Sequence, residues 1–145
     1  TPSRKIEFYS VISKNRGYNP LPSYSKLQIQ VNEFLFLNSA TSKYTHTQFR
    51  EIYGPIPEIV HINKKDASVR NIRQDDLVIL YNDYGSVKMK VNVSQDVPKG
   101  VLWAPRQSIG LNDEPQNALT PSTTQEIGNG SVFNSTIVRL QPVKN

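Results

Sequence analysis

The chain contains no cysteine. That excludes a disulfide, a thiolate nucleophile, an iron–sulfur cluster and a cysteine-type zinc site from its own side chains. It leaves the cellular compartment open, because a cysteine-free chain suits any of them. Histidine is scarce: His46 and His61 are the two present. Two are too few for a histidine-rich metal site, so any metal chemistry is expected to arrive on a cofactor. No stretch reaches the run of about 18 apolar residues that a membrane span needs. The phosphate-loop pattern G-x-x-x-x-G-K-[ST], the dinucleotide fingerprint G-x-G-x-x-G and the hydrolase elbow G-x-S-x-G are all missing. These gaps argue against nucleotide hydrolysis and serine-type acyl transfer. The opening "TPSRKIEFYS" has neither an initiator methionine nor an apolar signal segment, and reads as the interior of a longer polypeptide.

What is present points to one domain made of short elements. The chain has 145 residues, 37% of them hydrophobic, and 10 prolines. Net charge is +5, with Lys and Arg scattered rather than striped; "NKKD" (63–66) is the densest cluster after the amino terminus. A nucleic-acid binder is expected to show a basic stripe with interleaved aromatics, so nucleic acid is not the expected partner. Two readings of the charge stand: a solvated, mildly basic surface, or an anionic partner such as a phosphate-bearing ligand.

Residues 1–30 lack a helical period apart from a possible helix within 7–14, and "GYNPLPSY" reads as a linker or wrapping arm. The apolar run 34–37 predicts a buried strand. Residues 41–52, "TSKYTHTQFREI", are polar and loop-like, closing into one helical turn. A strand follows at 59–62, with proline confined to its entrance, where no ladder donor is needed. Residues 63–72 predict a short helix capped by Asn63 and ended by a left-handed Asn71. "DDLVILYNDYGSVKMKVNV" (75–93) reads as two strands around an Asn82-Asp83-Tyr84-Gly85 turn. The first, 77–81, is apolar on both faces and expected to be buried; in the second, Val87, Met89, Val91 and Val93 alternate with polar residues. A strand at 101–103, a long polar loop at 106–130 and a closing strand within 131–143 complete the chain. The fold class is mainly β with one or two short helices and long polar loops. A closed barrel is expected, because so few helices would leave sheet edges uncovered.

Most side-chain constellations have ordinary readings. Asp75-Asp76 at a strand entrance is turn and register chemistry. Trp103, alone in a strand, reads as core, and His61 as a satisfied, half-buried imidazole. The Asn-x-Ser/Thr triplets at Asn92, Asn129 and Asn134 are expected by chance in an Asn- and Ser-rich chain. His46 differs, lying between Thr45 and Thr47 with Gln48 next. Such a run suits a ligand rich in donors and acceptors, or else a solvated loop.

Taken in order, "TPSRKIEFYS", "FLNSATSKYTHTQF", "IVHINKKDASVRNIRQDDLVILYNDYGSVKMKVNVSQDVPKGVLWAP", "QNALT" and "FNSTIVRL" span nearly the whole chain. The ordered set resembles the carboxy-terminal, molybdopterin-dinucleotide-binding domain of the DMSO reductase family of molybdenum or tungsten oxidoreductases. The resemblance implies a double-psi β-barrel over residues 31–145, with residues 1–30 an extended arm from a preceding domain. It implies a molybdopterin guanine dinucleotide whose Mo or W is carried by the cofactor, expected to be absent from the isolated domain. It also implies that cofactor contacts come from Asn38, Ser39, Thr41, His46, Thr47 and Gln48, with Arg106 a charge-assisted donor and Asn117 against a pterin. No catalytic residue and no protein metal ligand is expected within the chain. Its partners would be other domains or subunits of the same oxidoreductase, and the alternative is an independent small subunit of such a complex. The chain departs from the family where Asn38-Ser39-Ala40 stands for Thr-Gly-Arg, where Gln107-Ser108 stands for Gly-Trp, and where Asp-Pro is missing near Thr124-Gln125. Asn71 and Asp75 stand where the family has glycine, and being tolerant of left-handed backbone they are expected to keep its path. The full enzyme's substrate and the choice of molybdenum or tungsten are not encoded in these residues.

Overall fold

A computed structural model describes residues 1, 3–21, 23–125 and 128–143. Six strands, β1 (Glu33–Ser39), β2 (Ile59–Asn63), β3 (Leu77–Tyr81), β4 (Ser86–Ser94), β5 (Val101–Pro105) and β6 (Thr136–Pro142), close in the order β1-β5-β2-β4-β3-β6. This is the double-psi β-barrel expected from the sequence. Three short helices decorate it among the described residues: α1 (Val11–Asn15), α2 (Arg50–Tyr53) and α3 (Lys64–Val69). That is one more than the sequence reading counted.

Alternation builds the core. Every strand sends every second residue inward: Phe34 and Phe36, Val60 and Ile62, Val78 and Leu80, Val87, Met89 and Val91, Leu102 and Ala104, and Val138 are all buried. The run 77–81 is not buried on both faces. Leu77, Ile79 and Tyr81 turn outward and stay half-exposed, because a barrel wall has one interior side. Trp103 likewise sits on the outer face of β5, not in the core, since its neighbours Leu102 and Ala104 take the inward positions. Its ring meets His61 edge-on at 4.8 Å between centroids.

The pairing pattern decides where the loops emerge. β1 and β5 run parallel, with Ser39 opposite Pro105, so their carboxyl ends share one rim. β2 pairs antiparallel with β5 and parallel with β4, which sends the carboxyl ends of β2 and β4 to the other rim. The β3–β4 turn and the entrance to β6 return to the first rim, because both β3–β4 and β1–β6 are antiparallel. Local chemistry supports these paths. The Asn63 side chain caps α3 by accepting from Lys65 N at 2.9 Å, and its amide donates to the Val97 carbonyl at 2.7 Å. Asn71 and Asp75 carry φ of 55° and 66°, the left-handed backbone expected of them.

Candidate functional site

Two polar segments leave the shared rim of β1 and β5. The first, 40–49, crosses to α2; the second, 106–120, returns over the barrel mouth. The Arg106 N–H donates to the Ser39 carbonyl at 2.9 Å and ties the two roots together. The second segment is not the loose loop that its composition implies. Leu119 is fully buried in the barrel core, and Gln116 is 4% exposed within a 3-10 turn at Gln116–Leu119. Leu111 N donates to the Lys88 carbonyl at 2.7 Å, and the Asn82 amide donates to the Leu119 carbonyl at 2.7 Å. The segment is therefore stitched to β4 and to the turn that precedes it.

Two adjoining hollows open on this rim. The smaller, about 290 Å³, is walled by Thr41, Tyr44, His46, Arg106 and Gln107. The larger, about 650 Å³, is walled by residues that include Asn38, Thr47, Arg50, Arg106, Gln107 and Asn117. Arg106 and Gln107 form the shared wall. Of the residues singled out from sequence, Asn38, Thr47 and Asn117 meet in the larger hollow, Thr41 and His46 in the smaller, and Arg106 in both. Ser39 and Gln48 line neither. Ser39 Oγ instead accepts from Trp103 Nε1 at 2.8 Å, and the Gln48 N–H donates to the Thr45 carbonyl at 3.0 Å.

Sequence reasoning missed Arg50, Gln107 and Gln116. Arg50 was hidden in a stretch read as a closing helical turn, and Gln107 was noted as a departure from a family glycine rather than as a wall. That departure is itself informative. Gln107 has φ of 66°, so the chain keeps a glycine-like backbone with a side chain on it. His46 at 55° and Phe49 at 69° are left-handed too. With Asp113 at 60°, four such non-glycine residues in the two site segments mark a strained rim, and strain of this kind gathers at ligand-binding sites.

The polar inventory can receive a heteroaromatic ligand that bears phosphate. Gln116 Nε2 donates to the Pro105 carbonyl at 2.8 Å and also to Ser108 Oγ. Its Oε1, like Gln107 Oε1, is buried with no hydrogen-bond partner among the described residues. Gln107 Nε2 lies 3.4 Å from His46 Nδ1. A buried acceptor without a donor costs about 1–3 kcal/mol. The cations Arg50 and Arg106 face no carboxylate within ion-pair distance among the described residues; the ion pair found there is Arg139 with Glu33, 3.2 Å apart. His61 lies on the barrel wall outside both hollows. Burial holds its imidazole below the ordinary histidine range, and Asp96 opposes that in part.

Comparison with known proteins bears on this geometry. Residues 34–137 match the family model described as molydopterin dinucleotide binding domain. The chain belongs to this family. The match runs from Phe34 in β1 through β5 to the start of β6, together with both site segments. The molydopterin dinucleotide binding domain also explains the relatives. The chain is 31% identical to the probable oxidoreductase YoaE of Bacillus subtilis (strain 168) over 155 residues, covering 99% of this chain and 22% of that protein. It is 24% identical to the dimethyl sulfoxide reductase DmsA of Haemophilus influenzae over 170 residues, covering 97% of this chain and 21% of DmsA. The chain thus spans about a fifth of the length of the curated relatives it matches. Among solved structures, acetylene hydratase from Pelobacter acetylenicus superposes with a TM-score of 0.73 at 14% identity, covering 100% of this chain and 24% of that one. At that identity the likeness speaks for the fold. The ligand class of this domain is a molybdopterin dinucleotide, and the neutral amides, hydroxyls and unpaired guanidiniums around the two hollows fit one.

Proposed function

We propose that the chain is the cofactor-covering barrel of a large molybdenum or tungsten oxidoreductase, and that it holds a molybdopterin guanine dinucleotide without catalysing turnover alone. The observation that carries this reading is the convergence of the two rim segments. Asn38, Thr41, His46, Thr47, Arg106 and Asn117 come from positions almost 80 residues apart in sequence and wall two adjoining hollows. Ser39 and Gln48 flank them on the same segment.

When bound, the cofactor supplies the metal and its redox chemistry; the barrel supplies binding and orientation. Asn117 and Asn38 offer amide donors and acceptors that match a pterin edge. Gln107 and Gln116 stand in the wall of the larger hollow behind these groups. His46 closes the smaller hollow, its ring steadied by the Gln107 amide. In the full oxidoreductase, substituting Asn117→Ala or His46→Ala lowers the molybdenum or tungsten and pterin content per polypeptide, read by metal analysis and pterin fluorescence. Unchanged content in both variants overturns the reading.

The exposed amino-terminal segment supports a second arrangement. Ile6 is 84% exposed, Phe8 78% and Val31 90%, which gives an apolar strap. The barrel could then be a separate small subunit docked by that strap onto a catalytic chain. Co-purification with a second polypeptide distinguishes this from a covalently linked domain.

A further inference from the structure

We infer that Trp103 is a positioning residue: from the outer wall of β5 its indole N–H fixes Ser39, the pivot from which the 40–49 segment leaves the barrel. The inference rests on the cofactor reading above, because that segment contributes walls to both hollows. Trp103 Nε1 donates to Ser39 Oγ at 2.8 Å. The Ser39 carbonyl accepts from the Arg106 N–H at 2.9 Å. Ser39 is thus held at its side chain by β5 and at its backbone by the residue that follows β5. It is the last residue of β1, and the polar segment begins at the exposed Ala40.

Strand parity gives this pivot its effect. Phe34 and Phe36 face the core, so Asn38 shares their side of β1 and Ser39 takes the other. Asn38 reaches the larger hollow at the barrel mouth, and Thr41 reaches the smaller one just beyond the pivot. Holding the Ser39 hydroxyl against the outer wall therefore fixes how Asn38 is presented inside. Ser39 itself lines neither hollow, so its hydroxyl serves the indole. The resemblance puts glycine at this position, which has no hydroxyl to hold and a freer backbone. Ser39 gives this chain a pivot that an outer-wall donor can pin.

The wall behind Trp103 keeps its indole in place. Four neighbouring strands each contribute one residue: Ser39 from β1, Trp103 from β5, His61 from β2 and Asn92 from β4. Trp103 stands opposite His61 in the ladder, and His61 opposite Asn92. The imidazole meets the indole edge-on, with 72° between the ring planes. The Asn92 amide nitrogen lies 3.1 Å from His61 Nδ1. An amide N–H bonds that nitrogen only while it is unprotonated, the state that burial of the ring favours. An indole swings on two torsions, so a ring packed against His61 carries its N–H to one place.

Trp103 is the one tryptophan of the chain, so its indole N–H gives a single NMR signal. The test follows that signal and amide hydrogen exchange in the 145-residue chain, with thermal unfolding to confirm that each variant is folded. Trp103→Phe keeps a ring beside His61 and deletes the donor; Ser39→Ala deletes the acceptor; Ser39→Thr keeps it. Ser39→Ala moves the indole signal, and Ser39→Thr returns it toward the parental position. The Arg106 amide, which donates to Ser39, exchanges about three- to tenfold faster in Trp103→Phe and in Ser39→Ala. The Met89 amide in β4 keeps its parental rate. The double variant exchanges no faster than either single one, because Trp103 acts through Ser39. In the full oxidoreductase, Trp103→Phe and Ser39→Ala each release pterin at least about threefold faster than the parent, and Ser39→Thr restores retention. A parental Arg106 rate in Trp103→Phe, an equal acceleration at Met89, or additive effects in the double variant overturns the inference. Parental pterin release in Trp103→Phe, where Asn117→Ala and His46→Ala deplete pterin, also overturns it and leaves the cofactor reading standing. If those two variants keep their pterin, the cofactor reading falls, and the exchange rates alone decide the pivot.

Discussion

Gln107 carries more consequences than any other side chain on the rim. Its left-handed backbone costs about 1–2 kcal/mol relative to glycine, and its buried Oε1 lacks a donor. Gln107→Gly trades that strain for greater chain entropy in the unfolded state, a loss of about 0.5–1 kcal/mol. The net expectation is a chain more stable by about 1 kcal/mol in urea denaturation, with the His46 ring released from its amide neighbour. His61 makes a pH prediction. Burial lowers its folded-state pKa below the ordinary value of 6.5, with Asp96 opposing in part. The unfolded chain therefore binds the proton first as pH falls, and stability declines from about 6.5 down to the folded pKa. In His61→Gln the slope of stability against pH flattens in that window, which urea titrations at stepped pH measure. These two residues also show what a sequence can reveal. His61 was readable as a half-buried, satisfied ring because strand alternation fixes its side; Asn92 lies 3.1 Å from it. Gln107 was not readable as a wall, because its importance lies in a φ angle that composition does not encode.

At the scale of elements, the 106–120 segment shows where periodicity ends as a guide. Its polar residues read as loop, yet Leu119 reaches the core, a backbone hydrogen bond pins the segment to β4, and the Asn82 side chain pins it to the 82–85 turn. Close packing enforces this. A Cβ on Gly110 would lie 2.5 Å from Val87 Cγ1 and 3.0 Å from the Lys88 carbonyl, and one on Gly85 would lie 2.8 Å from the Ala118 carbonyl. Gly110→Ala and Gly85→Ala are each expected to destabilise the chain by about 1–3 kcal/mol. Thermal unfolding measures the loss; a parental melting temperature in both would refute the packing argument. The strands were legible for the opposite reason. Phe34 and Phe36 in β1, and Val87, Met89 and Val91 in β4, declare an inside and an outside by alternation alone. Trp103 misled because size suggests core, whereas its parity in β5 puts it outside.

For the whole molecule, closure of the six strands leaves the barrel without free edges, and none of the described residues within 1–31 is buried in its core. Local hydrogen bonds shape this arm, among them Ser10 N to the Pro20 carbonyl at 2.8 Å, and Ile6, Phe8 and Val31 are exposed. Deleting residues 1–31 is expected to move the thermal midpoint by no more than about 4 °C while abolishing binding of a hydrophobic dye; collapse of the fold would show that the arm belongs to the core. The arm and the two hollows make sense together in a domain that spans about a fifth of its relatives. The closing seam of the barrel also sets a timetable. β1 pairs with β6, and the Glu33–Arg139 contact bridges 106 positions. At about 5–20 residues per second on a ribosome, the first strand waits roughly 5–20 s for its last neighbour. During that interval Phe34 and Phe36 sit on an unsealed ribbon, so a nascent chain stalled before Thr136 is the species that chaperones must guard.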